Sequence, residues 1–469
     1  MRTMAQQTMT DHPLVDELRT ALPDVRMLTS ATDTEPYRRD ETEFVPDGQP
    51  IAAVFPTTTE EVSAVVRACA RHGVPVVTRG GGSGLSGGAN AVEGCVVVVM
   101  TGMDRIIEID VANLVAVTQA GVITADLEQA VEAEGLLYPP DPASHELSCI
   151  GGNIAENAGG LRCVKYGVTR DYVLGLEVVL ADGEVIRTGG RMVKDVMGYD
   201  LTRLMVGSEG TLGIFTEATL KLRPLPAPKT TLLAFVPSVA QAGDAVSRIT
   251  AAGVTPVTLE MLDRHIIDAV EGALHLGLDP AAGAMLMIES DAGGELAERE
   301  LDAASAACEA AGATSLDRAT DPDEADAMRE ARRQAHWSLQ QLGQARTEDV
   351  SVPRSRVTEL IAAIEDISAR HDMKIGVFGH AGDGNFHPAY VTGHDDPRAE
   401  ERTEAVRADV YTAVLALDGT ITGEHGTGLT KRAFLKQQFG ARGVAAMRAI
   451  KDALDPDGIL NPGKVLPDR

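Results

Sequence analysis

The sequence predicts an α+β protein of more than one domain. Its 469 residues correspond to about two or three domains of ordinary size. The apolar fraction of 44% and the charged fraction of 24% are typical of globular proteins and exclude wholesale disorder. The chain also changes character near Pro224, Pro226 and Pro228. Glycine-rich loops between strands precede these prolines, and Ala-rich helices alternating with single strands follow them, so we expect a domain boundary there.

The charge and the cysteines exclude several classes of protein. Lys and Arg number 42 against 69 Asp and Glu, a formal charge of -27 that repels nucleic acid and anionic lipid. Residues 1–18 lack the apolar stretch of a signal peptide, and the longest apolar run, 95–100, is far shorter than a bilayer span. Five cysteines without C-x-x-C spacing indicate reduced thiols. We expect a cytoplasmic protein with no integral membrane segment and no nucleic-acid partner.

Capping and periodicity predict the elements before the boundary. The capping box at residues 58–61 predicts a helix to about residue 72, followed by a strand at 75–78. A second helix over 124–134 ends at Gly135. Apolar runs predict further strands at 95–100, 106–110, 114–119, 175–180 and 212–221.

The part after the prolines has the pattern of an α+β domain with longer helices. Strands are predicted at residues 231–236 and 284–289. Helices are predicted at residues 293–311, 322–343, 356–371 and 397–417.

A glycine-rich segment after the strand predicted at 75–78 is the first candidate binding site. Residues 79–89 read RGGGSGLSGGA, and 82–87 match G-x-G-x-x-G. A nicotinamide-dinucleotide fingerprint must open a helix, but residues 88–94 are too few for one before the next strand. We therefore expect a coil whose backbone N–H groups wrap a pyrophosphate. A flexible turn is the alternative, and the six glycines among residues 80–88 favour binding.

Two further segments are also rich in glycine and other small residues. Residues 150–160 have almost no side-chain bulk, and 209–214 lead through glycines into a strand. A flat ligand lying against them is one explanation. Close packing of backbone on backbone is the other.

The histidines of the segment HAGDGNFH, residues 380–387, form a candidate metal site. A two-residue hairpin turn at Asp383 and Gly384 would place His380 directly opposite His387. Directly opposed β-carbons lie about 5 Å apart, so both imidazoles could hold one ion. Two surface histidines on a strand pair are the alternative.

The segment TGEHGTG, residues 422–428, adds a carboxylate and an imidazole. Glu424 could supply a third ligand, and two His with one carboxylate leave positions open for substrate. Neighbouring side chains of an extended segment point to opposite sides, so we expect His425 to have a different role. A helix-capping Glu beside a surface His is the alternative.

Arginines of the segment MREARR offer a site for an anion. Arg329 and Arg333 lie four residues apart on one helical face, with Arg332 near it. Solvated surface charge is the default interpretation of such a cluster.

The ordered set of motifs, with residues 195–200 and 206–213, resembles the FAD-binding domain of the vanillyl-alcohol oxidase and p-cresol methylhydroxylase superfamily. The later part resembles its FAD-linked oxidase C-terminal domain, found in D-lactate dehydrogenases, the glycolate oxidase D subunit and D-2-hydroxyglutarate dehydrogenases. The resemblance implies a two-subdomain FAD-binding domain over 50–226, preceded by a segment at 1–49. It implies an α+β cap domain with an antiparallel sheet over 227–440, and a C-terminal segment, 441–469, that returns to the FAD domain.

The resemblance implies non-covalent FAD, since residues 79–89 contain neither His nor Cys to tether it. The residues implied to hold FAD are Arg79, Gly80, Gly81, Gly82, Ser83, Gly84, Leu85, Ser86, Pro140, Asp141, Ser144, Gly151, Gly152, Asn153, Asn157, Ala158, Gly160, Glu209, Gly210, Ile214 and Asn461.

The resemblance also assigns roles in the cap. His380, His387 and Glu424 match metal ligands, with zinc expected and iron or manganese as alternatives, and His425 matches the base. Arg329 matches the arginine that holds the substrate carboxylate. Arg333 lies one helical turn from Arg329, so we also expect it to contact the substrate, where it would bind a distal carboxylate.

Two departures from the hydroxyglutarate-type relatives bear on the substrate. Those relatives have Asn at the position of Ala389 and Lys near Thr347. We therefore expect an FAD-dependent dehydrogenase that oxidises D-lactate or glycolate, with D-2-hydroxyglutarate or another substituted D-2-hydroxy acid as the alternative. A flavin-bearing subunit of an electron-transfer complex is the alternative of another class. The electron acceptor is left open, and a homodimer is compatible with the sequence.

Overall fold

A computed structural model describes residues 12–42, 47–279 and 281–468. The chain divides into two compact units. Unit 1 comprises residues 1–160, 168–225 and 424–469, and unit 2 comprises 161–167 and 226–423. The segment that rejoins unit 1 thus begins at residue 424 instead of the expected 441. The expected N-terminal segment, 1–49, lies in part outside the described residues.

The first sheet of unit 1 has four short strands, in the order β1-β2-β4-β3. Strands β2 and β3 run parallel to β4, and β1 runs antiparallel to β2. The four valines of β4 are all buried, as expected for a strand covered on both faces. The strands are β1 (Arg26–Leu28), β2 (Ala52–Phe55), β3 (Val76–Arg79) and β4 (Val96–Val99).

The predicted helix that precedes β3 spans Thr59–His72. The Thr58 side chain accepts a hydrogen bond from the backbone N–H of Glu61. The Glu61 side chain accepts one from the backbone N–H of Thr58, which completes the capping box. Gly73 ends the helix in the left-handed conformation, with φ 63°. The sequence therefore predicted both ends of this helix.

The second sheet of unit 1 is antiparallel, in the order β5-β6-β10-β8-β9. A small pair, β7 with β11, lies outside it. The strands are β5 (Ile106–Asp110), β6 (Val115–Gln119), β7 (Leu136–Leu137), β8 (Val173–Val179), β9 (Val185–Gly189), β10 (Ile214–Lys221) and β11 (Arg223–Pro224).

The C-terminal segment completes unit 1. The backbone at Val76 bonds to both Ile459 and Asn461, so this segment lies along the edge of β3. Lys451 donates to the backbone oxygens of Thr211 and Leu460. The α-helices of unit 1 are Pro13–Ala21, Ala31–Thr34, Thr59–His72, Thr124–Glu132, Ile150–Glu156, Leu201–Met205 and Leu435–Leu454, the last kinked at Gly440.

Unit 2 is built on one large antiparallel sheet, in the order β15-β12-β14-β13-β18-β19-β16, with β17 also paired to β19. Its core includes the buried side chains of Leu262, Met285, Met287 and Phe378. The strands are β12 (Thr230–Val236), β13 (Thr258–Asp263), β14 (Ala284–Ser290), β15 (Ser315–Arg318), β16 (Gln344–Thr347), β17 (Val350–Ser351), β18 (Lys374–His380) and β19 (Asn385–Thr392).

The prediction of a single helix over residues 322–343 is wrong, because the structure has two helices there, Pro322–Arg333 and Ala335–Gln340. Gln334 has ψ 1°, which breaks the helical repeat between them. The break allows Ala335, Ser338 and Leu339 to be buried. The α-helices of unit 2 are Cys163–Tyr166, Val239–Ala251, Arg264–Leu274, Gly294–Ala310, Pro322–Arg333, Ala335–Gln340, Val357–His371 and Ala399–Ala416. None of the helices in the described part of the chain has the length and hydropathy needed to cross a bilayer.

Candidate active site

The glycine-rich segment joins two neighbouring parallel strands of unit 1. It leaves β3 at Arg79 and runs as coil to Cys95, just before β4 begins. All of residues 80–95 are described and they contain no helix, as predicted. Part of the segment packs tightly on protein, since a β-carbon on Gly81 would clash with the backbone oxygen of Leu147. Backbone packing thus accounts for Gly81.

A cavity of unit 1 opens beside this segment. It encloses about 1290 Å³, including its part open to solvent. Residues that were expected to hold FAD and that line it are Gly80, Gly81, Gly82, Ser83, Gly84, Leu85, Ser144, Gly151, Gly152, Asn153, Ala158, Glu209, Gly210 and Ile214. Lining residues that the sequence did not single out include Asp40, Thr78, Met100, Cys149, Glu156 and Phe215.

The other residues expected to hold FAD lie outside this lining. Arg79 donates from Nη1 to the backbone oxygen of Arg39, over 2.6 Å. Asn461 donates from Nδ2 to the backbone oxygens of Gly88 and Glu209. Ser86, Pro140, Asp141, Asn157 and Gly160 are likewise outside the lining.

Glu424 and His425 line the same cavity of unit 1. Nε2 of His425 lies 3.8 Å from Oε1 of Glu424, and the Glu424 carboxylate packs on Gly159. The expectation that the two side chains point to opposite sides is therefore wrong. The chain bends here and Gly426 adopts φ 87°, so the alternation of an extended strand does not apply.

Two carboxylates, that of partly buried Glu156 and that of buried Glu209, lie in the cavity wall. Burial and the negative charges of Glu209 and Asp40 hold the pKa of Glu156 well above its ordinary value. Burial also raises the pKa of Glu209 to about 7, although hydrogen bonds from the backbone of Thr427 and Gly428 oppose the shift. Buried acids with raised pKa values are typical of functional sites.

In unit 2 the two candidate metal-binding histidines are close together, but the predicted register is wrong. His380 pairs with Asn385 and His387 pairs with Phe378, because a four-residue loop, 381–384, replaces the two-residue turn. The shift of two residues keeps both histidines on one face as diagonal neighbours. Their ring centroids lie 5.4 Å apart with perpendicular planes, and ring nitrogens of the two lie within 4.8 Å.

A fully buried carboxylate, Glu260 on β13, contacts the imidazole of His380. Nδ1 of His380 lies 2.6 Å from Oε1 of Glu260, and Nε of Arg332 donates to Oε2 over 2.6 Å. Burial alone would raise the pKa of Glu260, but the charges and hydrogen bonds of His380 and Arg332 lower it to about 2. An ionised Glu260 would accept a hydrogen bond from Nδ1–H of His380 and leave Nε2 for a metal.

The two arginines expected to bind substrate have different surroundings. Nε of Arg329 donates to buried Glu289 over 2.7 Å. Arg333 is half-exposed and is held by Asp326 and Glu330 on its own helix. Arg332, which lies between them in sequence, bonds to Glu260, the carboxylate that also contacts His380.

The two parts of the chain match two protein families. Residues 50–189 match the FAD binding domain, and residues 225–465 match the C-terminal domain of FAD linked oxidases. The glycolate oxidase subunit GlcD of Bacillus subtilis is 49% identical over 417 residues, which cover 89% of each chain. The D-lactate dehydrogenase of Anaerostipes hadrus is 36% identical, over 94% of each chain. The chain belongs to the FAD-linked oxidase family.

Solved structures share the fold of this FAD-linked oxidase. A substrate-bound p-cresol methylhydroxylase matches 97% of the chain with a TM-score of 0.78 at 18% identity. A 4-ethylphenol oxidase from Gulosibacter chungangensis matches 97% with a TM-score of 0.75 at 20% identity. The expected p-cresol methylhydroxylase type of fold is thus confirmed.

The two departures noted in the sequence are neighbours in this FAD-linked oxidase. Thr347 on β16 pairs with Ala389 on β19. Oγ1 of Thr347 lies 2.8 Å from Nδ1 of His336, and Ala389 is fully buried. Both positions that lack the polar groups of hydroxyglutarate-type relatives therefore belong to one patch of the sheet.

Unit 2 also anchors the residue that precedes Glu424. Asp349 accepts from Nδ2 of Asn385 over 2.6 Å and from the backbone N–H of Gly423 over 2.8 Å. Asn385 is the strand partner of His380. One buried carboxylate therefore ties Gly423 to the strand end that carries the histidine pair.

The sequence analysis missed Glu156, Glu260 and Asp349, all of them buried or partly buried acids. One signal was available for Glu260, which interrupts the apolar strand Thr258–Asp263. A charged residue in a strand buried on both faces requires a partner. The partners themselves are distant in sequence, so no local pattern identifies them.

Proposed function

We propose that this protein is an FAD-dependent dehydrogenase that oxidises a small D-2-hydroxy acid, D-lactate or glycolate, to the 2-oxo acid with the help of a divalent metal ion. The observation that carries the proposal is the cavity of unit 1, where His425 and Glu424 line the same space as three glycine-rich segments. A flavin held by the glycines would thus face a base.

The residues of the cavity fit FAD. Gly152 faces open space, because a β-carbon there would meet no atom within 4 Å, and the walls are mostly apolar or backbone. Such a surface suits a flat ring and a pyrophosphate held by N–H groups. When bound, FAD would accept a hydride from the substrate carbon.

The donor set of unit 2 fits a divalent transition metal. His380 and His387 offer imidazole nitrogens as ligands, and Glu260 would fix the tautomer of His380. We propose Glu424 as the third ligand, since it directly follows Gly423, which Asp349 ties to the partner strand of His380. Zinc is the metal we propose, with iron or manganese as alternatives. Bound at these residues, the ion would lower the pKa of the substrate hydroxyl.

Two side chains would then handle the substrate. Arg329 would bind the carboxylate through the guanidinium nitrogens that Glu289 does not hold, since Glu289 takes Nε. His425 would accept the hydroxyl proton on Nδ1 or Nε2 as the C–H bond breaks.

The substrate we propose is small. The paired positions Thr347 and Ala389 offer no cationic group for a second carboxylate. An unpaired buried charge costs several kcal/mol, so D-2-hydroxyglutarate should be the poorer substrate.

A role as the flavin-bearing subunit of a larger oxidase is the second candidate. One relative named above is itself called a subunit. In this chain Val193, Val196, Met197 and Tyr199 are more than nine-tenths exposed within one short segment of unit 1. Exposed apolar groups of this kind are typical of interaction sites. A cytoplasmic location, proposed from the five free thiols, is compatible with both candidates.

A substrate panel with an artificial electron acceptor tests the proposal. The purified chain with FAD and zinc should reduce the dye with D-lactate or glycolate, more slowly with D-2-hydroxyglutarate, and not with L-lactate. A chelator should abolish turnover, and zinc should restore it. Turnover that requires added protein partners would favour the subunit role, and full activity in metal-free protein would contradict the metal mechanism.

A further inference from the structure

The turn that follows His425 is fastened by one buried carboxylate of unit 1. Oε1 of Glu209 accepts the N–H of Thr427, and Oε2 accepts the N–H of Gly428, each over 2.7 Å. Glu209 is only 6% exposed. Both carboxylate oxygens of Glu209 therefore accept hydrogen bonds from the backbone two and three residues after His425.

The glycine-rich segment confines the same turn from another side. The backbone oxygen of Ser86 accepts the N–H of Leu429 over 2.8 Å. Gly428 has φ 45°, and a β-carbon on it would clash with that oxygen. The turn after His425 is thus held between Glu209 and the segment expected to bind the FAD pyrophosphate.

Glu209 is itself fixed in place. It adopts φ 52°, uncommon for a non-glycine residue, and its N–H donates to the backbone oxygen of Ala155 over 2.9 Å. Its carbonyl accepts from Nδ2 of Asn461 over 2.7 Å, and the same amide donates to the backbone oxygen of Gly88 over 2.9 Å. Hydrogen bonds therefore run from the glycine-rich segment through Asn461 and Glu209 to the turn.

We propose that Glu209 is a positioning residue that sets the orientation of His425, and that Asn461 supports it, instead of either side chain binding FAD directly. This inference rests on the proposed role of His425 as the base. Both carboxylate oxygens already accept backbone N–H groups, and the side chain has no N–H group to offer a pyrophosphate. A base displaced by about 1 Å can lose roughly 100-fold in rate, so such an anchor matters for the reaction.

Glu209→Gln is the variant that tests the anchor. The amide keeps one acceptor oxygen but turns an NH₂ group toward the second N–H donor. Hydrogen exchange of the FAD-loaded protein should become faster at Thr427 and Gly428. Flavin reduction by D-lactate should slow by about 10- to 100-fold, while the FAD dissociation constant stays unchanged. Glu217→Gln is the matched control, because Glu217 lies on β10 and bonds to Arg187 instead.

A double variant separates this inference from the proposed function. If Glu209 acts through His425, Glu209→Gln should slow flavin reduction much less in a His425→Ala background than in the native chain. Weaker FAD binding, with a normal rate at saturating FAD, would overturn the inference and make Glu209 a cofactor ligand. Unchanged exchange at Thr427 and Gly428 would also overturn it. If His425→Ala alone left the rate intact, the proposed base would be wrong, while faster exchange in Glu209→Gln would still establish the anchor.

Should the Gln variant fail to fold, Glu209→Asp provides a second test. It retains both acceptor oxygens and the charge but shortens the reach by one methylene. Faster exchange at Thr427 and Gly428 with unchanged FAD affinity would support the anchor. Loss of FAD affinity with native exchange would overturn it.

Discussion

Nδ1 of His380 lies 2.6 Å from Oε1 of Glu260, and the carboxylate that makes this contact is fully buried. Arg332 occupies the other oxygen of the same carboxylate. A carboxylate in this position orients the imidazole and increases its basicity toward a metal at Nε2. Glu260 therefore extends the candidate metal site by one residue that neither spacing nor resemblance had indicated.

Glu260→Gln is expected to weaken zinc binding by about 10- to 100-fold, the usual cost of losing such a supporting carboxylate. The amide can present its NH₂ group to Nδ1 of His380, which favours the wrong tautomer. Titration of the metal-free protein with zinc, followed by calorimetry, measures the change. Glu289→Gln is the control, because Glu289 is equally buried but bonds to Arg329 and Lys229. Equal losses in both variants would count against a specific role for Glu260.

FAD should be released into the supernatant when the protein is precipitated with acid. Cys149 lines the cavity, but burial raises the pKa of its thiol to about 11, so the reactive thiolate is scarce at neutral pH. Absorbance of the supernatant and of the washed pellet distinguishes free from tethered flavin. Flavin in the pellet that disappears in Cys149→Ser would show a covalent bond to that residue.

Glu156→Gln should stabilise the protein at alkaline pH and much less at acidic pH. The pKa of Glu156 is raised in the folded state by burial and by the charges of Glu209 and Asp40. The folded chain thus keeps a proton that the unfolded chain releases above its ordinary pKa, so this stabilising contribution is lost as the pH rises. Between the ordinary and the raised pKa of Glu156, the advantage of the variant should grow by about 1.4 kcal/mol per pH unit.

Urea unfolding of the native chain and Glu156→Gln at about pH 5.5 and 8 measures this advantage. Glu217→Gln serves as a control with no expected pH-dependent gain. A constant difference between Glu156→Gln and the native chain at both pH values would contradict a raised pKa.

Arg329→Ala should lower kcat/KM for D-lactate by about 10- to 100-fold, since charged hydrogen bonds contribute roughly 1.5–3 kcal/mol. Arg329→Lys keeps the charge beside Glu289 and separates loss of the guanidinium from loss of stability. Arg333→Ala should have little effect, because Asp326 and Glu330 already hold that side chain. A preference for D-2-hydroxyglutarate that disappears in Arg333→Ala would show that Arg333 does bind a distal carboxylate.

Local patterns predicted much of the fold. The capping box at Thr58 and the apolar run of β4 depend on neighbouring residues only, so the sequence identifies them. The hairpin register was wrong, because the choice between a two-residue and a four-residue loop depends on contacts beyond the strands themselves. Gly382 packs on Val164 and donates to the backbone oxygen of Leu259, and such contacts leave no trace in local sequence.

The candidate site was predictable where motifs are short and contiguous. The glycine-rich segment and the pair His380 and His387 are of this kind. The partners of the buried acids are not, since 120 residues separate Glu260 from His380 and 218 separate Glu209 from Thr427. A single sequence does not indicate which distant donor neutralises a buried carboxylate, so these supporting residues emerge only from the folded structure.

Anaerobic mixing of the FAD- and zinc-loaded protein with D-lactate or glycolate tests the central claim most directly. The visible absorbance of oxidised flavin should disappear in a single turnover, and L-lactate should leave it unchanged. In His425→Ala, which should retain FAD and zinc, the same bleaching should slow by about 10²- to 10⁴-fold, the contribution of a positioned base. Flavin that no 2-hydroxy acid bleaches, or a His425→Ala variant that reacts at the native rate, would contradict the account.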